Sequence, residues 1–276
     1  MPLLLKSVEP PRGLRWVADA LRLYARRPLG FTLMLLAFGL VMVLVARLLP
    51  VLGPVLLLMS VPLLSLGYMV ASQSALLDGP VHPGQFIEPL RGDKGKRRAL
   101  LVLCALYGVA AMGIILLCMA VSDNAPARWY ELMGKGAAAA PELEALANEP
   151  GVTTALMLFV TLGTALTVPY WHAPALVHWG GQGVAQALFS STLAVWRAKG
   201  AFLAYGVAWL GLFFTFGLLT SVLFALVGPG VASFVVTLGA LVLNALFYVS
   251  LLFTFNDSFG GAAATPADAD SGNMPA

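Results

Sequence analysis

Charge is what this chain has least of. Six stretches, 29–46, 51–77, 99–121, 151–177, 201–227 and 231–255, hold no Lys, Arg, Asp or Glu. About 30 Å of hydrocarbon takes about 20 residues at ~1.5 Å rise, so each stretch can cross a bilayer as a helix. The same scarcity excludes chemistry: ion paths and proton relays inside membranes are marked by ionisable side chains within spans. No Ser/His/Asp or paired-carboxylate arrangement lies there either, so the chain is not expected to be an enzyme. Cysteine is nearly absent. Cys104 and Cys118 fall in the same stretch, about 21 Å apart along one helix, too far to bridge, and read as small apolar fillers. No cofactor or metal is expected. His172 and His178 are six residues apart, about 240° round a helix, with no Cys or carboxylate beside them. A soluble domain is missing too, since the longest polar segment, 122–150, is well short of the roughly 100 residues of a typical domain.

What is present is apolar: 59% hydrophobic residues against 11% charged, with mean hydropathy +0.87. The fold class this predicts is all-α, a polytopic integral membrane protein. Six transmembrane helices at about 29–49, 51–77, 99–121, 151–177, 201–227 and 231–255 form three antiparallel hairpins in one membrane domain over 1–255. The tail 256–276, rich in Ala, Gly, Asp and Pro, is expected to be a disordered cytoplasmic segment. Charge outside the spans is one-sided. Lys6, Arg12, Arg15, Arg22, Arg26, Arg27, Arg91, Lys94, Lys96, Arg97, Arg98, Arg197 and Lys199 fall on one side, leaving Arg47, Arg128 and Lys135 of the 16 basic residues for the other. Basic residues near span ends are held in the cytoplasm, so both termini are expected there. No secretory signal is expected, because no small-residue cleavage site follows the first apolar run.

Before the first span, Arg12, Arg15, Asp19, Arg22 and Arg26 recur at spacings of three and four, with Leu14, Val17, Ala18, Leu21, Tyr24 and Ala25 as the opposing stripe. This predicts a helix in the membrane interface, apolar side down, ended by Pro28. Trp16 and Leu23 fall beside the arginine face, so either that face packs partly on protein or the helix is not cleanly interfacial. A similar element with Gln186, Ser190 and Arg197 on its polar stripe precedes the fifth span. Both end in an Arg followed five residues later by Phe, at Arg26/Phe31 and Arg197/Phe202, and both lead into a span pair joined by a Gly/Pro turn. With 86–98 as a degraded third copy, the chain reads as three repeats of elbow plus hairpin, the middle hairpin opened by the insertion 122–150. The cluster Lys94, Lys96, Arg97 and Arg98 abuts the third span. Together with Arg15, Arg22 and Arg26 it forms the candidate contacts to anionic lipid or a protein partner. Nucleic acid is not expected, since no folded module or aromatic platform accompanies the basic run.

The most distinctive string runs from Pro169 through Trp171, His172, Pro174 and His178 to Trp179. Its prolines withdraw backbone donors and bend the fourth span, while its aromatic rings suit the headgroup level, with the histidines at the same depth. Polar groups within the spans are few. Thr164 and Thr161 offer a small-residue face, and Asn244 is the candidate for a buried interhelical hydrogen bond. His172, Thr164 and Asn244 are the candidate pocket. In the insertion, Asn124 before Pro126 starts a short helix that Gly134 ends, and Pro141 opens a second through Ala147, forming a cap or lid.

The amphipathic GLRWV start, the LGP hairpin, and WHAPALVHW followed by an elbow and F-x-x-Y-G-x-A-W resemble an uncharacterised family of six-span inner-membrane proteins of Gram-negative bacteria. The resemblance covers most of 11–255 and implies the fold and an inner-membrane location, with no activity to transfer. A looser similarity to the membrane domains of some glycerophosphodiester phosphodiesterases implies a lipid-related role, though their hydrolase domain is absent. The expected function is a non-catalytic, lipid-interacting protein, or one accessory to a membrane complex as partner or homo-oligomer. The alternative is a transporter or flippase for a hydrophobic or neutral substrate.

Overall fold

The computed structural model describes residues 5–135 and 140–260. Among them are eleven α-helices: α1 (Arg12–Arg26), α2 (Pro28–Leu48), α3 (Gly53–Leu76), α4 (Lys94–Val121), α5 (Ala125–Gly134), α6 (Ala140–Ala147), α7 (Pro150–Tyr170), α8 (Ala173–His178), α9 (Val184–Arg197), α10 (Lys199–Val227) and α11 (Pro229–Phe259). Two 3-10 turns, Pro83–Phe86 and Glu88–Leu90, precede α4. No strand occurs among the described residues. Six helical segments are long and apolar enough to cross a membrane, with α7 and α8 together forming the fourth.

Helix ends follow local chemistry. Pro28 and Pro229 occupy first helical positions, where the missing N–H has no intrahelical partner to lose. Asp93 caps α4 by accepting from the Lys96 N–H at 3.0 Å, and this bond with the Gly95 amide holds its carboxyl below the ordinary value. The basic cluster 94–98 therefore forms the opening turn of α4 instead of preceding it. At the other end, α11 runs on through Asn256, Asp257 and Ser258 to Phe259. The tail expected from 256 is thus helical for its first four residues, and the rest, 261–276, lies outside the described residues.

The elbow helix α1 packs on protein with the face that carries Trp16 and Leu23. Leu14 and Leu21 are exposed, while Trp16, Ala20 and Leu23 are buried against protein. The two residues that spoiled the interfacial pattern mark the face that packs. Trp16 meets Phe202 and Tyr205 edge-on, and α1 approaches α10 so closely that a Cβ on Gly13 would overlap the Ala201 carbonyl. The second elbow, α9, buries Ala187, Ser191 and Ala194 and turns Phe189 and Trp196 outward. The segment 86–98 is no amphipathic helix: the Pro83–Phe86 turn places Phe86 against Phe38 and Tyr68.

These elbows pack in a cyclic order. α1 rests on α10 and α11, the 3-10 turns on α3 and α2, and α9 on α7, α8 and α4. Each elbow lies on the hairpin of the preceding repeat, the first lying on the third. Within the ring α3 packs along both α4 and α11, and α11 also reaches α2. The buried core gathers where these helices meet the elbows, around Leu66, Leu100, Leu176 and Phe255 on one side and Phe31, Met34 and Tyr68 on the other. α10 touches mainly α1 and α11 and exposes Leu210, Phe214 and Leu218, as a lipid-facing helix would.

Candidate functional site: an aromatic cavity inside the bundle

The proline-rich string forms a junction. α7 stops at Tyr170 and α8 starts at Ala173, because Pro169 lacks the N–H for the carbonyl four residues earlier and its ring crowds that turn. Ser191, from α9, enters the gap. Its Oγ donates to the Val168 carbonyl at 3.1 Å and accepts from the His172 N–H at 3.0 Å, standing in for the bond these two groups would share in an unbroken helix. Thr254, from α11, holds the other side. Its hydroxyl donates to Leu251 O at 2.8 Å, so its lone pairs accept from Trp171 Nε1 and His172 Nε2, each at 3.1 Å. This network assigns the proton of His172 to Nε2. Nδ1 is left as a buried acceptor with no partner among the described residues, on a ring packed against Phe202, Phe255 and Phe259.

The candidate pocket of His172, Thr164 and Asn244 is not assembled. His172 is fully buried in the protein core. Thr164 is exposed on α7. Asn244 is exposed on α11, where its amide donates to Ala240 O at 3.1 Å. The bond expected to run between helices runs within one, because a carbonyl four residues back is always in reach of an outward-facing Asn side chain.

A different cavity lies next to the junction. It measures about 210 Å³ and is bounded by Pro62 and Ser65 of α3, Tyr107 of α4, Tyr170 and Trp171 at the end of α7, and Phe247 and Tyr248 of α11. Pro62 sits inside α3 and frees a carbonyl one turn earlier. Tyr107 and Tyr170 meet edge-on at 5.0 Å, and Tyr248 stacks on Tyr68 at 5.2 Å. Other buried tyrosines have engaged hydroxyls: Tyr68 donates to Phe31 O at 2.8 Å and Tyr205 pairs with Ser250 at 2.6 Å. Tyr107, Tyr170 and Tyr248 make no hydrogen bond among the described residues. Three phenolic donors therefore border a space with no ionisable Lys, Arg, Asp, Glu or His side chain in its wall. A cavity of ~150 Å³ holds a benzene ring, so this one has room for a ring or a headgroup-sized group.

The basic candidates divide into separate places. Arg22 and Arg26 are exposed on α1, Arg22 pairing with Asp19 at 3.1 Å. Arg15 lines a polar cavity at the start of that helix. Lys94, Arg97 and Arg98 are exposed, whereas Lys96 is half-buried and donates to His178 O at 3.0 Å. Lys96 so caps the negative end of α8. At the opposite face, α5 and α6 cover an apolar cavity of about 370 Å³ bounded by Ile115, Trp129, Leu146 and Phe159. Arg128 closes this cap through a bidentate pair with Glu149, at 3.0 and 2.5 Å. No cluster of three potential metal ligands occurs among the described residues.

Compared with known proteins, the chain is 31% identical over 274 residues to a probable inner membrane protein of Burkholderia thailandensis, an alignment covering 96% of this chain and 99% of that protein. No family model matches the chain, and no solved structure matches it. Identity at this level over nearly the whole of both chains places them in one family. The chain belongs to the family of this Burkholderia inner-membrane protein, and its six apolar helices make it a multi-pass protein of that membrane.

Proposed function

We propose that this member of the inner-membrane family is a non-catalytic lipid-binding protein that holds the polar end of a neutral amphiphile in the tyrosine-bordered cavity. The single observation carrying this reading is the set of three uncommitted donors, Tyr107, Tyr170 and Tyr248, on one intramembrane space. A phenol donates one hydrogen bond, and a donor without a partner in an apolar setting costs free energy that an incoming acceptor recovers. The acceptor is then a carbonyl, ester or ether oxygen. A charged group is disfavoured, because no opposite charge borders the cavity to offset its desolvation. At about 210 Å³ the space admits only the head of such a molecule, leaving its apolar remainder among the lipids.

In this reading the elbow face is cytoplasmic, on the one-sided distribution of Lys and Arg. Impermeant labelling of single cysteines at Glu131 and Arg91 tests this: Glu131 is expected to react from outside the inner membrane and Arg91 only after lysis. Native mass spectrometry of the full chain, released into nanodiscs from its own membrane, tests the binding. The expected result is one neutral amphiphile retained per chain and lost from Tyr107→Phe/Tyr248→Phe, with thermal stability unchanged. Bare protein, or retention equal in the double variant, would sink the reading.

A further inference from the structure

The start of α1 and the end of α11 enclose a second polar space that the tyrosine cavity does not touch. It measures about 370 Å³ and is lined by Lys6, Ser7, Glu9, Arg12, Arg15 and Asp257. Its construction is specific. The Lys6 N–H donates to Ser258 O at 2.8 Å, tying the N-terminal segment to the last turn of α11. Asp257 accepts from Trp16 Nε1 at 2.6 Å and is ion-paired with Arg12, which also lies 3.6 Å from Asp19. Asp257 is thus turned toward α1 and fixes the Arg12 guanidinium in the wall. Arg15, one turn along, and Lys6 make no ion pair among the described residues, and neither does Glu9. With Arg12 engaged by Asp257 and Asp19, Lys6 and Arg15 face one carboxylate, Glu9, and leave the open part of the space net positive.

We propose that this elbow-face cavity is a binding site for a phosphate group, held between Lys6 and Arg15 with Arg12 fixed behind them. A phosphate presents several acceptor oxygens, which matches donors converging from more than one direction. Lys6 is a point charge and Arg15 a planar fork, the two modes by which phosphate is ordinarily held. Two sources share this chemistry: the headgroup of an anionic lipid in the adjacent leaflet, and free phosphate or a soluble phosphate ester.

The test uses the full chain in nanodiscs, read by native mass spectrometry. One arm titrates phosphatidylglycerol into neutral phosphatidylcholine discs; the other adds inorganic phosphate to purely neutral discs. Lys6→Gln/Arg15→Gln is expected to weaken retention more than about hundredfold, from roughly tenfold or more per hydrogen bond between charged groups that is lost. Arg22→Gln/Arg26→Gln removes the same charge from α1 outside the cavity and is expected to cost no more than the diffuse attraction, roughly fivefold per residue. Both pairs are exposed, so thermal unfolding is expected to match the unsubstituted protein and serves as the folding control. Retention of lipid but not inorganic phosphate identifies a headgroup site, and retention of inorganic phosphate a soluble one. Equal loss in the two double variants would show diffuse attraction and overturn the proposal, as would retention in neither arm.

Discussion

Thr254 carries more of the junction than its size suggests. One hydroxyl satisfies Leu251 O, Trp171 Nε1 and His172 Nε2, joining the broken fourth span to the sixth. Thr254→Val preserves shape and removes all three bonds, leaving two buried donors unpaired at about 1–3 kcal/mol each. Thr254→Ser keeps the hydroxyl and is expected to lose only packing. Thermal unfolding of the two variants in the same detergent checks this, the valine form melting well below the serine form. His172 stood out in the sequence because of the prolines around it, but its depth was not readable. Burial comes from Ser191 and Thr254, 19 and 82 residues away. The tyrosines were legible only as residue types. Tyr107 and Tyr248 stand inside spans, away from the interfaces where tyrosine usually gathers, and that was the available signal. Their convergence depends on which faces of α3, α4, α7 and α11 meet, which no single helix's pattern contains.

Elements were read well where caps and breakers define them and poorly where packing does. Asn124, Pro126, Gly134 and Pro141 marked α5 and α6 at their observed bounds. For α1, Trp16 and Leu23 beside the arginines marked a face that could pack on protein, but not its partners, since Trp16 pairs its ring with α10 and its N–H with Asp257 at the far end of the chain. The cap formed by α5 and α6 responds to pH through Glu149, whose carboxyl is held below the ordinary 4.5 by its hydrogen bonds and ion pair with Arg128. A depressed carboxylate contributes stability that is full above the unfolded value and is lost as pH falls through the folded one. The cap is therefore expected to loosen as pH drops below about 4.5, read as rising mobility of a spin label at Glu131 in a cysteine-free background. Glu149→Gln is expected to be loose across the whole range and to show no such transition.

Taken as a whole, the molecule is held together by elbows that lie on the span pair before their own, closed into a ring by α1 on α10 and α11. The Gly/Pro turns and the Arg–Phe spacing marked two units of elbow and span pair in the sequence, yet such a pattern does not say which span pair an elbow will cover. Loops this short would allow each elbow to fold onto its own hairpin. Instead α1 lies on α10 and α11, so closing the ring requires the two ends of the chain to meet, with Trp16, Gly13 and Asp257 at the seam. Damage at the seam should therefore appear far from the altered residue in sequence. Trp16→Ala empties a fully buried site and is expected to cost about 3–5 kcal/mol. Hydrogen exchange is expected to rise at the start of α10, around Phe202 and Tyr205, and in the last turns of α11, while α2 and α3 keep their protection. Exchange that instead rises first in α2, the helix joined directly to α1, would mean that chain connectivity and not the cyclic packing governs how the elbow is held. Because α11 also lines the tyrosine cavity, a loosened seam should weaken retention of the bound amphiphile without altering any residue that touches it.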